Sequence, residues 1–131
     1  MIAMERATHY RLTLRFLEYT PSRSERYHFR VYLETVEQFS ALPYALVVEH
    51  KASENIHTFH IRGITLRDTL GTHVGNAAYV EDISIKRDGE ARIVVMRASQ
   101  IQAVPLVLEH GRVRLAEEGI GGFVEVRLVD E

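Results

Sequence analysis

Two stretches near the start of the chain alternate apolar and polar residues without a break, and this period of two constrains the fold more than any other feature. Tyr10, Leu12, Leu14 and Phe16 share one parity, with Arg11, Thr13 and Arg15 on the other. Tyr27, Phe29, Val31 and Leu33 repeat the pattern against His28, Arg30, Tyr32 and Glu34. Successive side chains of a strand point to opposite faces, so each stretch reads as a strand with one buried face. The polar connector from Thr20 to Glu25 joins them as a hairpin.

Three further hairpins take their register from their turns. Ala52-Ser-Glu-Asn55 as a four-residue loop sets Lys51 opposite Ile56, Leu46 opposite Ile61, Val48 opposite Phe59 and His50 opposite His57. Arg87-Asp88-Gly89 suits a turn closed by a left-handed glycine, which places Ile83 against Ile93 and Ile85 against Ala91. His110-Gly111 as a two-residue turn sets Leu108 against Val113, Leu106 against Leu115 and Glu109 against Arg112. A last strand, Phe123 to Val129, turns Val124, Val126 and Leu128 inward. Thr35 followed by Gln38 resembles a capping box and predicts a short helix near 35–42, stopped by Pro43. The expected fold is one all-β domain over residues 1–131, an antiparallel sandwich or barrel of about nine strands built from hairpins.

Composition narrows the chemistry. Cysteine is absent, which removes disulfides, thiolate nucleophiles and zinc–thiolate sites. The first residues lack the apolar stretch of a signal peptide, and the longest apolar runs, such as Val104 to Leu108, are too short to cross a bilayer as a helix. These features predict a cytoplasmic protein with no membrane partner. A formal net charge of −2 gives no overall attraction to nucleic acid. No serine sits in a nucleophile elbow, and Gly119-Ile-Gly-Gly122 lacks the lysine and helix of a phosphate loop. Glu81 and Asp82 fall on opposite faces of a strand, so they do not form a carboxylate pair.

Gly63 to Ala78 fits no strand pattern and reads as a long loop, the first place to look for a site. Across the hairpin before it, His50 and His57 face each other, and opposed strand residues lie close enough for two imidazoles to share a divalent transition metal. His73, from the loop, is the third candidate ligand. Otherwise no cofactor is expected.

Among the basic residues are 14 Arg and 2 Lys. Arg15, Arg26 and Arg30 with Tyr32 fall on outward faces of the first two strands, where guanidinium forks and an aromatic ring suit a nucleotide or single-stranded nucleic acid. Arg26-Tyr-His-Phe-Arg30 and the later Asp82-Ile-Ser84 resemble the two signature pieces of PilZ domains, β-barrels that bind cyclic dinucleotides. The sequence departs from that pattern at Arg87, where the family has glycine, and by an extra hairpin between the pieces. The resemblance covers about eight residues and implies phosphate recognition by the arginine forks.

Leu17, Val47, Val94, Val107, Phe123 and Val129 fall on the outward parity, which asks for something to cover them. The reading that joins these signals is a non-catalytic interaction or assembly module, self-associating or bound to a protein partner. Leu17, Tyr19, Val107, Phe123 and Val129 are its candidate interface. A metal- or small-molecule-binding barrel, with or without catalysis, and a nucleotide binder are the rivals.

Overall fold

The computed structural model describes residues 9–20, 26–39, 44–66, 75–86, 89–116 and 122–130. These form nine strands: β1 Tyr10–Thr20, β2 Arg26–Phe39, β3 Tyr44–Ser53, β4 Ile56–Leu66, β5 Gly75–Lys86, β6 Gly89–Arg97, β7 Gln100–Glu109, β8 Arg112–Leu115 and β9 Val124–Asp130. All nine belong to one sheet in the order β8-β7-β6-β4-β3-β5-β2-β1-β9. The sheet is mixed, because β1/β9, β3/β5 and β4/β6 run parallel while the other neighbours run antiparallel.

The sheet curls into a nearly closed barrel whose interior holds the predicted apolar parity. Leu12 and Leu14 of β1, Phe29, Val31 and Leu33 of β2, Phe59 and Ile61 of β4, Ile93 and Val95 of β6 and Leu106 and Leu108 of β7 are fully buried or nearly so. Each such side chain contributes about 1.5–3 kcal/mol by leaving water. The ends of the sheet meet through a side chain. The Gln102 carboxamide of β7 donates to the Val124 carbonyl of β9 at 2.8 Å and accepts from the Val124 N–H at 3.1 Å. It makes the two bonds a neighbouring strand would have made. β8 spans only the Leu106–Glu109 end of β7, which leaves the Gln102 end free to reach β9.

Several expectations change here. No helix occurs among the described residues. Thr35 lies in β2, where its hydroxyl accepts from the Ala77 N–H of β5 at 3.0 Å instead of capping a turn. A register shift between Glu34 and Gln38 breaks the alternation, and this break imitates a helical pattern. Gly63–Leu66 and Gly75–Ala78 belong to β4 and β5, so the proposed long loop is shorter at both ends, and 67–74 lie outside the described residues.

The hairpin registers divide three ways. β7/β8 pairs as expected, with Leu108 opposite Val113, Leu106 opposite Leu115 and Glu109 opposite Arg112. His110 (φ 50°) and Gly111 (φ 75°) supply the two left-handed residues that a tight turn between right-twisted strands requires. β3/β4 turns on Glu54 and Asn55 alone, with Glu54 at φ 53°, so the pairing slides by two and His50 faces Phe59 rather than His57. A slide of two keeps every side chain on its face. β5 and β6 do not pair: β2 and β3 occupy the edges of β5, while β4 and β7 occupy those of β6. The glycine turn fixes only local geometry, and the longer-range pairing of β5 with β2 prevails over a hairpin there.

Candidate functional site

A polar chain runs through the inner face where β3 meets β5. The parity that buries Ile83 and Ile85 also turns Tyr79 and Glu81 of β5 inward, and the same alternation points His50 of β3 and His57 of β4 toward them. The Tyr79 hydroxyl donates to Glu81 Oε1. Glu81 Oε2 lies 2.5 Å from His50 Nδ1, and His50 Nε2 lies 2.9 Å from His57 Nδ1. His57 bonds in turn to the backbone of Ser84. Phe59 fixes the orientation, since its ring stacks on His50 at 4.4 Å between centroids and 4° between planes. Burial, with His50 adding to it, pushes the His57 imidazolium below the usual histidine range. Burial and the neighbouring Glu81 carboxylate push the Tyr79 phenol upward.

This arrangement brings together the two histidines that the sequence paired, and adds two residues the sequence reading did not select. Tyr79 and Glu81 sit two apart on an inward face, which was visible. Their approach to β3 was not, because it depends on a parallel contact between strands distant in sequence. The facing nitrogens of His50 and His57 are hydrogen-bonded to each other, and no group of three ligand side chains converges among the described residues. His73 lies outside the described residues.

A second constellation occupies the outer face of β9-β1-β2-β5. Arg15 stands opposite Arg30 across β1/β2, Arg30 opposite Asp82 across β2/β5, and Arg26 opposite Lys86. Arg30 grips Asp82 with two bonds of 2.7 and 3.1 Å, and Arg26 reaches the Ser84 hydroxyl at 3.4 Å. The two sequence pieces that resemble a signature thus lie side by side. Position 87, the departure, is outside the described residues. Hydrogen bonds to Asp82 and then Tyr32 raise the Arg30 guanidinium further, and the bond from Arg30 holds the Asp82 carboxyl below the usual range. The Arg30 fork is already engaged within the protein, as are Arg11 with Glu34 and Glu125, and Arg127 with Glu125.

The third feature is apolar. Register across β4/β6/β7 places Val94 beside Ala103, Met96 beside Ile101, and Pro105 and Val107 further along β7, with Ile56 on β4 next to Arg92. All of these alternate with buried residues, so they share the outer face. Ile101 is 65% exposed and Ile56 43%. Both faces of β7 from Ala103 to Leu108 are consequently apolar, the pattern of a strand covered on both sides. Nothing among the described residues covers the outer one.

Of the expected interface residues, Val107 belongs to this face. Leu17, at the β1 register shift, and Val129, opposite Arg15 on β9, are exposed on the other half of the barrel. Tyr19 is half-buried against Tyr27, with ring centroids 4.7 Å apart, and lies under Gly111. Phe123 is a correction. It is 5% exposed and packs edge-on against Tyr10 at 6.2 Å, because the chain turns inward just before β9 begins. Comparison with known protein families, curated proteins and solved structures finds no match for this chain.

Proposed function

We propose that the protein is a self-associating β-barrel module that works through the outer face of β4, β6 and β7. The observation that carries this reading is the apolar surface that Val94 and Met96 of β6 form with Ile101, Ala103, Pro105 and Val107 of β7. Contiguous apolar surface of this kind on a soluble domain marks an interaction site. Glu90 and Arg92 on β6 and Arg114 on β8 give its rim both signs of charge. A second copy related by a two-fold axis can pair such a rim with itself, as an isologous interface requires. The account needs no catalytic residue.

Placing Glu at both Val94 and Ile101 tests the assignment of the face. The expected result is a smaller species in sedimentation velocity with unchanged far-ultraviolet circular dichroism. The control pair, Leu17→Glu with Val129→Glu, changes the other half of the barrel and should leave the assembly intact. Dissociation by the control pair alone would move the interface to β1 and β9.

A further inference from the structure

Alternation fixes which backbone groups face the seam between β8 and β9, the two ends of the sheet. The Ala116 N–H donates to the Pro105 carbonyl of β7 at 2.9 Å. Ladder bonds fall on every second residue of an antiparallel strand, so Arg112 and Arg114 also bond to β7. Val113 and Leu115 then turn their N–H and C=O groups to the free edge of β8. On the other side, the Phe123 carbonyl accepts from the His9 and Tyr10 N–H groups at the start of β1. The Val124 groups turn the opposite way, to Gln102, and the same alternation aims those of Val126 and Leu128 into the seam. Among the described residues, no backbone pairing reaches these edges, and no side chain does for Val126 and Leu128 what Gln102 does for Val124.

Side chains mark the same seam. Val113, Leu115, Val126 and Leu128 point inward and pack against the core, yet each is only half-buried. A hollow of about 500 Å³ opens beside β8, lined by Val107, Glu109, His110, Arg112, Val113 and Arg114. Arg112 and Arg114 are exposed on the outer face, and neither forms an ion pair with a carboxylate of the described residues. Glu109 stands opposite Arg112 without closing one, and Arg127 of β9 is already held by Glu125.

We propose that this seam takes up an extended segment of a partner protein, added as a strand antiparallel to β8, with apolar residues facing in and carboxylates facing out. Directly opposed residues of neighbouring strands share a face. A side chain opposite Val113 or Leu115 therefore covers the half-buried end of the core. One opposite Arg112 or Arg114 meets a guanidinium fork, which suits a carboxylate. Main-chain bonds to Val113 and Leu115 attach the segment, and its alternate side chains select it. None of the nine strands of this chain carries carboxylates at two successive outward positions, so a second copy does not offer the complement.

The probe is a short, blocked peptide alternating valine and glutamate, added at low ionic strength to isotope-labelled protein. Saturable binding is expected, with new protection of the Val113 and Leu115 amides from hydrogen exchange. Arg112→Glu together with Arg114→Glu, at two exposed positions, should weaken it by about tenfold with circular dichroism unchanged. A peptide methylated on the backbone nitrogens that face β8 should not bind, and one with lysine in place of glutamate should bind more weakly. No saturable binding overturns the proposal, and so does equal affinity for the methylated or the lysine peptide. Binding that leaves the Val113 and Leu115 amides unprotected also overturns it. If those amides are protected in the free protein and lose that protection on dilution, the occupant is a second copy and the proposal falls.

Discussion

Gln102 is a buried amide in a largely apolar strand, and it completes the barrel by doing with a side chain what a neighbouring backbone does elsewhere. Gln102→Leu leaves both backbone groups of Val124 without their partner. At about 1–3 kcal/mol for each buried group left unsatisfied, the variant should lose about 2–6 kcal/mol in urea denaturation. Gly122→Ala approaches the same loss by another route, because a Cβ there would overlap the Gln102 carboxamide. The double variant should cost less than the sum, since the two changes remove one contact. Thr35→Val keeps the shape of the residue and removes the acceptor for Ala77 N–H, so about 1–3 kcal/mol should go with it. His57 sets a pH dependence. Its folded state takes up a proton less readily than its unfolded state, so its contribution is complete above about pH 6.5 and is lost as the pH falls. Urea midpoints at pH 7.5 and 5.5 should differ in that direction, and His57→Gln should narrow the gap.

At the scale of elements, alternation identified strands and faces, while turn chemistry fixed register only where the turn residues were specific. His110-Gly111 carried its own left-handed geometry, and the β7/β8 register was read from it correctly. Glu54-Asn55 and Ala98-Ser99 make equally tight turns without glycine. The first was read as a four-residue loop, two residues too wide, and the hairpin of the second, β6/β7, was not registered at all. Ala98 adopts φ 53°, a conformation that costs a residue with a Cβ about 1–2 kcal/mol. Ala98→Gly should therefore raise the thermal midpoint, with a gain below about 1 kcal/mol once the greater freedom of the unfolded glycine is subtracted. Parallel contacts were beyond local reading. The β3/β5 and β4/β6 neighbours are set by the burial of whole faces, so Glu81 reaches His50 through a contact that no spacing in the chain encodes.

For the whole molecule, the question is what lies against the bare side of β6 and β7. Sequence parity marked Val94 and Val107 as outward, and the fold joins them to Met96, Ile101, Ala103 and Pro105 in one surface. It also withdrew Phe123 into the interior and separated Leu17 and Val129 onto the opposite half. The same folding placed Arg15, Arg26 and Arg30 on a face whose guanidinium groups are largely met by carboxylates and hydroxyls of the chain itself. Those differences favour an assembly role through the apolar face. The most direct test is the absolute mass of the untagged protein by light scattering across a hundredfold range of concentration. The account predicts a mass of at least twice the 15.0 kDa chain at the upper end of that range. A mass that stays at that of a single chain throughout the range would contradict it.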